Sequence, residues 1–192
     1  MADNDKDSIW TTLGKILLSF LSNKAQGKVG AEISIPIAVE KPVEPTIDWT
    51  DPLCPITTHF LVGEAITLHA WNRLATEEDG LTDEIKAKIV KTCHMLESIR
   101  SILGCGLNIH CIFRSQKYNQ EVVKVPAKYI DDVHARGEAA DWDALPHYTI
   151  EQAKEKIRPK LEELNIRLEA GTTTWLHNDW HQVGPSGREF KA

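Results

Sequence analysis

The sequence predicts an α+β fold, a mainly antiparallel sheet with helices packed on it. Three observations carry this. Residues 83–103 repeat apolar side chains at helical spacing, residues 107–113 alternate like a strand, and residues 166–179 read as two strands around Gly171. The order is helices first, then strands with a helix inserted.

Taken in order, the chain divides near residue 46. Ile9, Leu13, Ile16, Leu17, Phe20 and Leu21 form one apolar stripe, which predicts an amphipathic helix within residues 1–23. Such a helix packs on the domain or on a second copy, or lies on a membrane surface, although Lys15 and Lys24 make a thin polar face for the last role. Residues 24–46 carry Gly27, Gly30, Pro36, Pro42 and Pro45 and read as an extended linker. Residues 47–192 are the expected domain.

Within it, Thr57 or Thr58 caps an expected helix running through Glu64, Leu68 and Trp71. Thr82 caps a second, with Asp83 and Glu84 in the first turn where the helix dipole favours acids. Ile85, Ile89, Cys93, Leu96, Ile99 and Leu103 form its buried face, and Gly104 stands where a C-cap glycine belongs. Thr149 with Gln152 forms a capping box opening a third helix, and Pro159 kinks or restarts it.

Composition narrows the function. The 192 residues are 42% hydrophobic and 26% charged, an ordinary globular balance. A net charge of −6 argues against nucleic-acid binding, which needs clustered Lys and Arg. No apolar run approaches the roughly 20 residues that span a bilayer. Residues 1–7 carry three Asp and one Lys, unlike a secretory signal, so synthesis in the cytoplasm is expected. The four cysteines lack CxxC spacing and read as buried free thiols.

Eight histidines in an acidic chain invite a search for metal ligands. The segment His134-Ala-Arg-Gly-Glu-Ala-Ala-Asp141 sets a loop His and a strand Asp on either side of a turning glycine, Gly137. Small Ala139 and Ala140 leave room beside them. Near the C-terminus, Thr173 to His181 alternates, so His177 and Asp179 share one face of a strand and Leu176 and Asn178 the other. At the end of the earlier strand, Phe113-Arg114-Ser115 precedes Asn119, and an Arg there is well placed to hold a carboxylate. Trp142, Trp175 and Trp180 either line a groove or pack in the core. Asp143 reads as a surface or supporting carboxylate, and His59, His69, His94, His110 and His147 as structural.

Together these pieces resemble the zinc D-Ala-D-Ala carboxypeptidases and the L-alanyl-D-glutamate endopeptidases of phages and bacteria, which share the Hedgehog/DD-peptidase fold. The family pattern is Tyr/Phe-Arg-Ser, then Asn, then Ser-x-His-x-x-Gly-x-Ala-x-Asp, then a late His in a strand. It is matched by Phe113-Arg114-Ser115, Asn119, His134, Gly137, Ala139, Asp141 and His177, and His59 to Ala65 is similar to an opening helix of some members. The likeness covers about residues 56–182. Two positions depart from it: Asp132 replaces the Ser before the first His, and Thr174 stands where many members have Glu or Asp.

The resemblance implies that His134, Asp141 and His177 hold Zn²⁺, with His181 a competing third ligand. It implies peptidoglycan stem peptides as substrate, cut after water activation by the metal. A carboxylate moves the proton: Glu169 first, across the strand pair from His177, and Asp179 second, or as the group that orients His177. Arg114 holds a substrate carboxylate or neutralises the oxyanion, with Ser115 and Asn119 beside it. The setting implied is a phage or prophage lysis enzyme acting on the cell wall after release. The alternatives are a zinc-containing binding module without turnover, and a virion-assembly protein on the same fold.

Overall fold

The computed structural model describes residues 46–185 and 187–191. They belong to a unit running from Pro45 to Ala192. The expected helix in residues 1–23 and the linker over 24–46 lie outside the described residues, apart from Thr46.

The fold is mixed α and β. It opens with a short helix α1 (Val62–Ile66), a two-stranded ribbon of β1 (Thr67–Leu68) and β2 (Arg73–Leu74), and the long helix α2 (Asp83–Leu103). Strand β3 (Asn108–Cys111) leads through α3 (Gln116–Tyr118) and a π turn over Asn119–Val123 to β4 (Ala139–Asp143). Helices α4 (Ile150–Ile157) and α5 (Leu161–Leu164) precede β5 (Arg167–Glu169), β6 (Leu176–Asp179) and β7 (Glu189–Phe190). The main sheet has five strands in the order β3-β4-β6-β5-β7. Its pairs are antiparallel except β5 with β7, which is parallel.

Helix α2 forms as its sequence dictates. The Thr82 hydroxyl accepts the Ile85 N–H at 3.3 Å, and Gly104, at φ 70°, closes the other end by donating its N–H to Arg100 O. Ile89, Cys93, Leu96, Ile99 and Leu103 are buried, joined by Thr92 and Met95. Thr149 and Gln152 cap α4 reciprocally, and Pro159 sits in a 3-10 turn, Arg158–Lys160, that restarts the chain as α5.

The expected helix from Thr57 through Trp71 is replaced by the short α1 and the β1–β2 ribbon. Thr57 does not cap: its hydroxyl donates to Glu97, while Glu64 accepts the Leu61 N–H that opens α1. Asn72, left-handed at φ 49°, turns the chain back so that Leu68 pairs with Arg73. The local pattern was ambiguous because an apolar run this short suits helix or strand equally.

Alternation separates the two faces of the main sheet. Ala140, Trp142, Leu168, Leu176 and Asn178 face the core, and Trp142 donates its indole N–H to Asn178 Oδ1 at 3.1 Å. Asp141, His177, Asp179, Arg167 and Glu169 lie on the opposite face. There Asp141 stands directly across from His177, and Arg167 across from Asp179. The β5–β6 pairing ends at Leu168 and Asn178, and Glu169 follows on β5 at the edge of the same cleft.

Candidate metal centre

The His134 turn is anchored to α2. Thr92 Oγ1 donates to Gly137 O at 2.8 Å and accepts from the Trp180 indole. Gly137 has φ 69°, and a Cβ there would stand 2.9 Å from Ile89 Cγ1 and 3.2 Å from Ile85 O. Only glycine satisfies both the left-handed backbone and this close approach. Asp132 Oδ1 accepts the Ala135 N–H at 2.9 Å and stiffens the start of the turn.

The turn delivers His134 to the sheet face carrying Asp141 and His177. His134 Nε2 lies 3.3 Å from His177 Nδ1 and 3.3 Å from Asp141 Oδ2, and His177 Nδ1 lies 2.7 Å from Asp141 Oδ1. Ligands about 2.05 Å from a tetrahedral ion stand about 3.3 Å apart, the spacing of both His134 contacts, while His177 and Asp141 stand closer, at hydrogen-bond distance. His134 Nδ1 donates to Ile112 O at 3.0 Å, which leaves Nε2 to face the group. His177 Nε2 lies 3.6 Å from Asp179 Oδ2, so Nδ1 is the nitrogen offered.

Cys111 joins this cluster across β3–β4, where it pairs with Asp141. Donor atoms of Cys111, His134 and Asp141 lie within 4.8 Å of one another, and the group could hold a metal ion. Sequence reasoning missed Cys111, treating all four cysteines as buried thiols. All four are free, but only Cys93 is buried, and burial pushes its thiol up to about 12. Spacing gave no signal for it: strict alternation sets Cys111 on the face of Ile109, and the register shift between Ile109 and Cys111 is what brings it across from Asp141.

Electrostatics fits a cation site. Burial opposes charge on His134, yet Cys111 and Asp141 beside it outweigh burial and hold the imidazole well above its ordinary range. Burial likewise raises Asp141, but His134 and His177 win and hold the carboxyl far below the usual carboxylate range. His177 is raised, with burial overcome by Asp141 and Asp179. A metal ion would replace the protons that these acid–base contacts otherwise share.

Asp179 is fully buried, and Arg167 grips it with two bonds, Nε to Oδ1 at 2.6 Å and Nη2 to Oδ2 at 2.7 Å. Burial raises its carboxyl, but His177 and Arg167 prevail and keep it lowered. Both oxygens of this carboxylate are thus occupied by the guanidinium, with His177 Nε2 3.6 Å away. Glu169 lines the same cleft and has no such grip among the described residues. The cleft, about 390 Å³, is edged by Arg114, Asp132, Trp175 and Phe190.

His181 stands apart from the trio. Its Nδ1 lies 3.0 Å from Glu138 Oε2, in a cluster with Lys88 and Arg136. The alternation explains this, because the strand ends at Asp179 and the chain turns away. Ser115 and Asn119 are buried scaffolding: the Ser115 hydroxyl accepts the Tyr118 N–H, and Asn119 donates to Ile130 O at 3.1 Å. Trp142 is core, Trp175 is half-exposed at the cleft, and Trp180 is capped by Lys91 at 3.5 Å. Asp143 is buried beside Asn108 and His110. No helix among the described residues is long and apolar enough to cross a membrane. Comparison with family models, curated proteins and solved structures finds no match.

Proposed function

We propose that the protein is a zinc metallopeptidase that hydrolyses peptide bonds in peptidoglycan stem peptides. The observation that carries this is the convergence of His134 Nε2, Asp141 and His177 Nδ1 within 3.3 Å of one another on the floor of an open cleft. Two imidazoles and a carboxylate are a donor set that suits zinc and leaves a fourth position for water. When bound there, the metal supplies Lewis acidity and a water of lowered pKa.

The chain's own residues supply the rest. Glu169, on the sheet face of His177, accepts the proton of the attacking water and returns it to the leaving amine. Asp179, fixed by Arg167, holds His177 in one orientation and tautomer. Arg114 donates to a substrate oxygen at the cleft edge, and Trp175 gives the peptide an apolar wall. The choice of peptidoglycan rests on the resemblance of the Arg114, His134–Asp141 and His177 segments to the zinc D-Ala-D-Ala peptidases. A role as a phage or prophage lysis enzyme belongs to the same proposal.

A binding module without turnover is the second reading, and Cys111 is what favours it. A thiolate filling the fourth position would close the centre and make it structural. Two variants separate the readings. Glu169→Gln should keep its zinc and lose hydrolysis of muropeptides, whereas His134→Ala should lose both. Full turnover by Glu169→Gln would remove the assigned base, and zinc retained by His134→Ala would remove the assigned site.

A further inference from the structure

We propose that the Arg114–Asp132 pair makes the cleft select an internal, uncharged stretch of peptide over one that ends in a free carboxylate. This rests on the hydrolase reading and names its substrate class, an endopeptidase substrate.

Arg114 Nη2 lies 3.1 Å from Asp132 Oδ2, and both side chains are mostly covered, at 21% and 23% exposure. Solvent therefore screens the pair only partly. Asp132 is not free to swing aside, because its other oxygen accepts the Ala135 N–H that starts the metal-binding turn. The second arginine of the cleft, Arg167, is committed to Asp179. Both guanidinium charges in the cleft are thus already matched, and Glu169 adds a further negative group.

A terminal carboxylate reaching Arg114 would stand beside the Asp132 carboxylate, and like charges at that distance repel. A peptide carbonyl meets no such repulsion. Arg114 still has donors to give it, because only its Nη2 is engaged by Asp132. Asp132 can accept an amide N–H from the same stretch. An arginine and an aspartate side by side therefore complement a peptide group, with its acceptor and donor, better than an anion.

The test uses one stem peptide ending in D-Ala-D-Ala, prepared as the free acid and as the carboxamide, with the zinc-loaded full chain. Wild type should prefer the carboxamide. Asp132→Asn keeps the acceptor for Ala135, and Asp132→Ser offers a shorter one. Both should move the kcat/KM ratio toward the acid by about tenfold or more. An unchanged ratio in both variants, with zinc content and circular dichroism as in wild type, overturns the proposal while the hydrolase reading stands. If wild type cleaves neither peptide, the hydrolase reading fails. The same shift is then sought in the calorimetric Kd ratio, and an equal ratio, or no binding, overturns the proposal too.

Discussion

Replacing Arg167 by Met should destabilise the domain by about 3–5 kcal/mol, the usual cost of stranding one partner of a buried ion pair. Asp179 is fully buried, and the fork from Arg167 supplies both of its shortest contacts, at 2.6 and 2.7 Å. Without it the carboxylate keeps the His181 N–H at 3.0 Å and the more distant His177. Met preserves the aliphatic bulk, so the loss reads mostly charge. The guanidinium also lies 4.6 Å from the Phe190 ring centroid, a contact worth about 0.5–1 kcal/mol that the partner substitution does not touch. In an Asp179→Asn background the same Arg167→Met change should therefore cost little beyond that contact. The coupling between the two sites should be at least about 2 kcal/mol. Urea and thermal unfolding with chelator present would measure it free of metal linkage, and the single variant should melt roughly 6–20 °C lower. A single variant within about 0.5 kcal/mol of wild type, or additive effects in the cycle, would refute the reasoning.

Four further outcomes follow from the same contacts. Glu169→Gln should lower kcat by about 10²–10⁴-fold at unchanged zinc content, read by steady-state kinetics and elemental analysis. Cys111→Ser should keep one zinc per chain and its hydrolysis; a variant stripped of metal would instead mean a closed, four-ligand centre. Gly137→Ala should cost more than about 2 kcal/mol and weaken metal binding, since the new methyl meets Ile89 and the Ile85 carbonyl in a left-handed turn; calorimetric unfolding with and without zinc checks both. Asp79 is held below the usual carboxylate range, chiefly by its bonds from Arg73. Its contribution is therefore present above that range and lost as pH falls through the folded value. Since Arg73 is 45% exposed and Asp79 only 5%, Asp79→Asn should cost about 1 kcal/mol at neutral pH. That difference should fade in acid; a pH-independent gap would show that the charge is not its source.

Much of the fold was legible where one short-range rule decides. Thr82 and Gly104 bracket α2, and Thr149 with Gln152 opens α4, because caps act within a turn of the residues they cap. Alternation alone put His177 and Asp179 on one face, and the turn at Gly171 put Glu169 near them. What was not legible depends on partners distant in sequence. The β1–β2 ribbon takes over an apolar run that reads equally as helix, and β7 is two residues long and exists only because β5 offers it an edge.

The metal centre divides the same way. His134, Gly137 and Asp141 are legible as a local motif. Cys111 enters through the β3–β4 register, which shifts between Ile109 and Cys111, and no spacing announces it. The grip of Arg167 on Asp179 and the contact of His181 with Glu138 are set by the fold, and no local spacing carries them. Asp132, a departure from the family pattern in sequence, gains meaning only from the guanidinium 3.1 Å away.

The most direct test of the central claim is mass spectrometry of purified muropeptides incubated with the zinc-loaded protein, with and without a chelator. The account predicts cleavage that the chelator abolishes and added zinc restores, with product masses that mark an internal bond. Intact muropeptides in the presence of a fully loaded metal site would contradict it and make the centre a structural one.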